Sequence, residues 1–491
     1  MLENEKQFKT AMLAYLSSSE VATGDLRAYG RIIGVKSPTT KKNDELREEI
    51  VAILLGELAP VQISKLGAPV KNDFVKPTML NAINQICNDY RIFDKYKQKE
   101  SKNDKVFGGI FPELPEEKNL VFNSEGTLSH SHNVVYSGQL ELLNGVYYLL
   151  PLDCRDGKKI LIAEKWITEC DLREGDVVSC WAMQGKTTLV ATEILTINGL
   201  LVKSFERMRF EEGLPCYPER AFVCTGKSEK NTALKYFDWV SPLRKGQRAC
   251  IISPPKAGKT QLLYDMAVAI KQNNPNTRVF ALLVDQSPES VGKFRRLFKN
   301  DAIVYTSYDD DAEFQVFAAE FLLKRVKRHV EHGLDVILFI DSLSALAKAY
   351  NETDASSGGK TLVSGLESKT LQFIKRFFAS ARQLENGGSL TIVGTVATNT
   401  GNPADELISS ELSSVANFEL HLSDALAVKR IFPAIEPLKT KIGEGLETTP
   451  TDAILRSKYL PKFGTESFLA LIASCDTQDA FVEALEKAFK V

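Results

Sequence analysis

The chain has 491 residues, too many for one ordinary domain, and that length predicts about three. Its hydrophobic share of 44% supports substantial cores, and its formal net charge of −2 excludes a global basic field, so any polyanion site must be a local patch. Its 8 cysteines show no C-x-x-C pair and no metal-ligand spacing, and no apolar run approaches the ~20 residues of a membrane span.

The thiols are therefore expected to be mostly buried and reduced, and the charged start Met1-Leu2-Glu3-Asn4-Glu5-Lys6 lacks a signal-peptide core. These features predict a soluble, cytoplasmic protein with no membrane partner. Residues 1–56 predict a small helical domain, SAP-like in its order of helix (23–35), polar loop (36–43) and helix (44–54). Lys36, Lys41 and Lys42 in that loop either meet phosphates or are simply solvated. Residues 57–130 predict a linker or insert with one helix near 79–90. The run 94–104 is charged without an apolar face, and 108–129 mixes Pro, Gly, Asn and Ser.

From 131 to 200 the pattern changes to short strands. Residues 134–143 alternate, Asn144-Gly145 marks a hairpin turn, and strands at 145–150, 159–162, 176–181 and 188–194 follow. A small barrel of the OB type is the economical reading. Tyr147, Tyr148 and Trp166 either stack bases on it or belong to its core. From 201 to 491 the chain reads as α/β, with strands at 278–285 and 389–398. A long amphipathic helix at 312–332 carries Phe314, Phe317, Phe321 and Leu322 at helical spacing. Segments 417–422 and 428–433 look like a closing β-pair.

Within this α/β part, Ser253-Pro254-Pro255-Lys256-Ala257-Gly258-Lys259-Thr260 follows the apolar run Ala249-Cys250-Ile251-Ile252 and precedes a segment of helical spacing. Strand, loop and helix in that order make a phosphate-binding loop, whose backbone N–H groups face phosphate oxygens. Lys259 would place its charge on the β and γ phosphates, and Thr260 would offer a hydroxyl to Mg²⁺. Ser253 stands where such loops usually have a first glycine. Asp335-Val336-Ile337-Leu338-Phe339-Ile340-Asp341 reads as a buried parallel strand ending in an acid. Asp341 either supplies the metal-side carboxylate or caps a helix starting near Ser342. The two stretches imply a RecA-like P-loop ATPase core with ATP and Mg²⁺ as cofactors.

Several ordered segments carry a resemblance. They are Gly246-Gln247-Arg248, Pro254-Pro255-Lys256-Ala257-Gly258-Lys259-Thr260, Ala347-Lys348-Ala349-Tyr350-Asn351, Lys375-Arg376-Phe377-Phe378, Glu419-Leu420-His421-Leu422-Ser423 and Lys429-Arg430-Ile431-Phe432-Pro433-Ala434-Ile435. Through them the chain resembles the transcription termination factor Rho family, strongly over 201–440, more loosely over the helical and barrel domains, and poorly over the last 50 residues. The resemblance implies a homohexameric ring that binds ATP and single-stranded RNA, moves along the RNA, and has RNA polymerase as a further partner. It implies that Lys256, Lys259 and Thr260, within the loop Pro255-Lys256-Ala257-Gly258-Lys259-Thr260, hold the triphosphate and Mg²⁺, with Asp341 on the metal side. It further implies that Arg244, Lys245, Gly246, Gln247 and Arg248 line the nucleotide pocket, that Phe432 packs on adenine, and that Tyr148 and Lys360 contact RNA.

The departures fall on chemistry. Asp285, Gln286 and Arg430 occupy the family's catalytic places, but the family has a glutamate where Gln286 stands, and glutamine cannot accept a proton from the attacking water. The following family arginine is Ser287, a pocket arginine is Ala345, and a channel lysine is Pro403. The arginine finger's place falls near Gly443, and 437–447 contain no arginine. On the barrel, two aromatic places are Leu161 and Thr188. The leading expectation is a ring-forming RNA-dependent ATPase or helicase of transcription termination with reduced hydrolysis. A rival is a nucleotide-binding regulatory or structural ring protein that no longer hydrolyses ATP or translocates. A third, a RecA-like strand-exchange protein, fits poorly with a barrel placed before the core.

Overall fold

The computed structural model describes residues 2–18, 21–33, 35–38, 40–55, 58, 79, 83, 86, 134–155, 157–184, 188–201, 207–226, 230–298, 302–355, 365–385, 387–443 and 449–488. Lys360, nearly all of the expected linker, and most of the helix expected near 79–90 lie outside them.

Helices Leu2–Leu16, Thr23–Ile32 and Asn43–Leu55 begin the chain. Phe8, Met12 and Leu16 repeat every four residues and bury one face of the first helix against Leu46 and Ile50 of the third. In the loop between the second and third, Lys41 pairs with Glu45 and Glu49. Its charge is therefore met within the unit.

The second part is a closed barrel of strands β1 (Val134–Leu143), β2 (Val146–Leu150), β3 (Ile160–Ile162), β4 (Val177–Gln184) and β5 (Leu189–Ile197), with β6 (Leu200–Leu201) added to β5. β1 pairs antiparallel with β2 and β4, and β3 closes the barrel by lying parallel to β5. Asn144 (φ 51°) and Gly145 (φ 79°) supply the left-handed pair that a two-residue hairpin needs. Leu140, Leu149, Ile160, Ile162, Val178 and Cys180 fill the interior.

The α/β part carries β7 (Pro215–Cys216), β8 (Arg248–Ser253), β9 (Thr277–Gln286), β10 (Ile303–Ser307), β11 (Asp335–Asp341), β12 (Arg382–Leu384), β13 (Ser389–Ala397), β14 (Phe418–His421) and β15 (Lys441–Ile442). The main order is β10-β9-β11-β13-β8-β14-β15, parallel from β10 through β14. Alternate residues face two cores: Ile251, Phe339 and Val393 meet helix Lys259–Asn273, while Ile252, Leu338 and Ile392 meet helix Ala312–Glu331. Both faces are covered, so these strands read as continuous apolar runs. The expected β-pair at 417–422 and 428–433 is half right. β14 forms, but its antiparallel partner is β15, and Asp424–Val428 is a short helix whose N-cap, the Ser423 side chain, accepts from Leu426 N. A side-chain cap outweighs the strand preference of Val428 and Ile431 there.

A buried polar joint fixes the barrel to the core. Arg325, with no solvent exposure, donates from Nε to Gln139 Oε1 (2.7 Å) and from Nη2 to Leu152 O (2.6 Å). Gln139 Nε2 donates in turn to Phe321 O (2.7 Å), and Lys324 Nζ reaches Glu141 and Glu174 at 2.6 Å each. Gly175 lies against the Lys324 backbone, where a Cβ would come within 2.6 Å of its carbonyl carbon. At the other end of the helix, Glu331 receives Arg173 (3.1 Å) and Arg328 (2.7 Å). Arg155, in the loop after β2, grips Asp310 with both Nη atoms (3.1 and 2.9 Å) and holds that carboxyl below its usual range. All seven described cysteines are free thiols, and burial pushes Cys154 and Cys180 up to about 12. Among the described residues no helix is long and apolar enough to cross a membrane.

Arg325→Met should cost ~3–5 kcal/mol, because Gln139 and the Leu152 carbonyl lose a buried charged donor. Calorimetry should then resolve a barrel transition apart from that of the core. Acid should also weaken the joint. His332 Nε2 accepts from Asn198 Nδ2 (2.8 Å), and burial, aided by Arg207, pushes its pKa from 6.5 to about 3. The folded value lies below the unfolded one, so this contribution is full above pH 6.5 and falls toward pH 3, by ~1.4 kcal/mol per pH unit. Urea unfolding at pH 7.5 and 5.5 should show that loss, and His332→Gln should flatten it.

Candidate functional site

The loop between β8 and helix Lys259–Asn273 contains two left-handed residues, Lys256 (φ 63°) and Gly258 (φ 90°), on either side of Ala257. Such alternation forms a concave nest of backbone N–H groups. Gly258 is also the helix N-cap and gives the first turn no side-chain acceptor. Helices Pro288–Leu297, Ala312–Glu331 and Pro403–Ser413 are capped by Ser287, Asp311 and Asn402. The first-turn N–H groups after Gly258 thus remain open to an anion. Ser253, in place of the usual glycine, is buried and donates its hydroxyl to Pro254 O (2.8 Å). Lys256 and Lys259 form no ion pair among the described residues.

Asp341 ends β11, level with Leu283 on β9. Its Oδ2 accepts from Thr260 Oγ1 (2.6 Å) and its Oδ1 from Thr395 Oγ1 (2.7 Å). The alternative reading of Asp341 as a helix cap falls to its neighbour: Ser342 Oγ accepts from Ala345 N (3.1 Å). A hydroxyl and a carboxylate beside an open phosphate cradle are hard oxygen ligands. They fit Mg²⁺, which is usually held by one or two carboxylates together with substrate phosphates. Thr395 is the residue that sequence reasoning missed. Its signal was weak, because β13 also carries Ser389 and Thr391 among its apolar residues.

The remaining expected residues divide. Asp285 (φ 54°) and Gln286 end β9 on the same carboxyl edge, where Asp285 N donates to Thr306 Oγ1 (3.1 Å) and Gln286 Nε2 donates to Val284 O (3.2 Å). That bond holds the Gln286 amide. Phe432 is 55% exposed, and its ring lies 3.5 Å from where a Cβ on Gly258 would stand. Arg430 (φ 56°) lies exposed in the turn that leads to it. Arg244, Lys245, Gly246, Gln247 and Arg248 are not brought to the loop. Arg248 begins β8 and the other four precede it, a strand length of ~17–20 Å from Ser253, at the amino edge of the sheet. There Lys245 pairs with Asp335 (2.8 Å) and Arg248 donates to Val415 O (2.7 Å). Within one chain they do not share a pocket with the phosphate loop.

On the barrel, Tyr147 and Trp166 pack on its interior. Tyr148 is half-buried, lies opposite Leu161 across β2 and β3, and packs toward the core that includes Phe321. Near the expected finger position, a Cβ on Gly443 would come within 2.9 Å of the Asn417 Cα. Arg456 is held by Asp452 at 2.7 and 2.9 Å, and Lys441 by Glu419 at 3.4 Å.

Gly258→Ala should impair the loop by a left-handed cost of ~1–2 kcal/mol, since its Cβ would meet the Phe432 ring only at an ordinary contact distance of 3.5 Å. Nucleotide binding followed by calorimetry should weaken while the melting of the barrel is unchanged.

The sequence matches the ATP synthase alpha/beta family, nucleotide-binding domain, over residues 233–441. It is 36% identical over 344 residues to transcription termination factor Rho of Escherichia coli K12, covering 67% of this chain and 81% of that protein. It is 35% identical over 424 residues to the Rho of Bacillus subtilis 168, covering 84% of this chain and 95% of that protein. Against the Rho of Karelsulcia muelleri it is 39% identical over 267 residues, covering 54% and 70% of the two chains. Identity at this level, spread over most of both chains, shows that the chain belongs to the transcription termination factor Rho family.

Proposed function

We propose that this protein is a nucleotide-driven, ring-forming RNA-binding protein of transcription termination whose ATP hydrolysis is slow. The observation that carries the nucleotide part is the uncapped, left-handed loop at Gly258 with Thr260 and Asp341 bonded beside it. Lys256 and Lys259 would hold the triphosphate, Thr260 and Asp341 would take the Mg²⁺ side, and Phe432 would meet the base. Bound Mg²⁺ would neutralise charge on the phosphate oxygens. RNA would use the barrel around Tyr148 and, by the family resemblance, the segment with Lys360. The domain limits 1–56, 57–130, 131–200 and 201–491, a hexamer, RNA polymerase as a partner and a cytoplasmic setting belong to the same reading.

The slow-hydrolysis part rests on side chains that are occupied or absent. Gln286 can orient a water but cannot take its proton, and a general base typically supplies ~10²–10⁴ in rate. A trans arginine is worth ~10³–10⁵ at a phosphoryl transition state. Gly443 has no room beside Asn417 for a side chain, and Arg456 is engaged with Asp452. Exposed Lys439 remains, without the planar fork of an arginine. The same observations favour a second reading, a regulatory ring that binds ATP and does not turn it over.

Lys259→Ala should weaken ATP binding by ~2 kcal/mol or more, read by calorimetry. Phosphate release with and without pyrimidine-rich RNA separates the two readings: slow, RNA-stimulated release supports the first and none supports the second. Turnover near ~10 s⁻¹ would discard slow hydrolysis. If turnover is slow, Gln286→Glu should raise it, by up to ~10²-fold. RNA affinity, read by fluorescence anisotropy, should fall in Tyr148→Ala by the ~1–3 kcal/mol of one stacked base.

A further inference from the structure

Asp341 is a carboxylate with no solvent exposure and, among the described residues, no ion-pair partner. Buried charges are ordinarily paired with an opposite charge. Here both oxygens accept hydroxyls instead, from Thr260 on one side and Thr395 on the other. A neutral donor fills a lone pair without cancelling the charge. Both oxygens are thus satisfied, with no cation beside them among the described residues.

The register explains why Thr395 can do this. Ile340 pairs with Gly394, which puts Asp341 level with Thr395 on the neighbouring strand. Gly394 points to the opposite face, where a Cβ would come within 2.3 Å of Leu343 Cδ1. Thr395 therefore points to the face of helix Lys259–Asn273. It is also level with Ile251 of β8, the strand that feeds the phosphate loop. One buried threonine lies between the strand carrying the acid and the strand carrying the loop.

We infer that Thr395 is a positioning residue for the divalent cation that accompanies the nucleotide. Its hydroxyl holds Oδ1 and so fixes the Asp341 rotamer with Oδ2 on Thr260. Oδ2 and the Thr260 hydroxyl would then be the groups left to hold a cation, with Oδ1 tied to Thr395. This rests on the nucleotide reading of the site, and the experiment below separates the two.

Affinity for ATP is measured in EDTA and across a Mg²⁺ titration for the wild type, Thr395→Val, Thr395→Ser and Lys259→Ala. Thr395→Val keeps the β-branched shape of a strand residue and removes the hydroxyl. It should leave metal-free affinity within ~2-fold and weaken the Mg²⁺ dependence by ~10–100-fold, the usual loss when a ligand's supporting bond is removed. Thr395→Ser should restore it. In an Asp341→Asn background Thr395→Val should have no further effect on Mg²⁺. Unchanged Mg²⁺ dependence in Thr395→Val, or equal losses with and without metal, overturns the inference. If circular dichroism shows Thr395→Val unfolded, Thr395→Cys against Thr395→Ser carries the test, and equal Mg²⁺ affinity in those two overturns it. Wild-type ATP binding that Lys259→Ala leaves intact would instead overturn the nucleotide reading, and this inference with it.

Discussion

The Arg325 guanidinium is the point on which the joining of barrel and core depends. Arginine does not lose its proton in a protein, so it cannot be buried by becoming neutral. It can be buried only where its donors are met, and those acceptors, Gln139 and the Leu152 carbonyl, belong to the barrel. Neither part can complete its polar inventory without the other. The helix that carries Arg325 is held along its length, by Lys324 and Glu141 near its middle and by Arg173 and Glu331 at its end. Just before its start, Asp310 is gripped by Arg155 from the barrel. Asp310 follows β10, whose carboxyl end lies beside Gln286. The barrel is therefore tied, through Arg155 and Asp310, to the carboxyl edge of the sheet on which Gln286 stands.

Much of this was legible from the sequence, because the signals are local. The phosphate loop, the Asn144-Gly145 hairpin, the strands of the barrel and the long helix each follow from spacing within a few residues. What was not legible required register or distance. The role of Thr395 appears only when β13 is set beside β11. The bond from Arg325 to Gln139 spans most of the barrel and half of the core in sequence. The placement of Arg244 to Arg248 shows the same limit. A few residues before the loop in sequence, they lie a whole strand away in space. The segment 428–433 was misread because its strand-forming residues are as visible as the Ser423 cap that overrides them.

Three positions expected from the resemblance to depart from the family's chemistry carry or adjoin local structural bonds. Ser287 caps the helix Pro288–Leu297 by accepting from Ser290 N. Ala345 sits in the turn capped by Ser342. The Gln286 amide is bonded to the strand it ends. A residue that completes a cap or a turn is held by that role.

Gly443 shows where this leads. Its N–H is bonded to Asn417 O at 2.9 Å, and the space for its side chain is filled by the Asn417 backbone. Replacing the glycine by arginine alone would meet a wall, whatever advantage the charge offered to catalysis. The segment around 417 would have to move first, and that move alone gains nothing. A cationic side chain at this position is therefore a change of two segments at once, residue 443 and the backbone at 417 that packs against it.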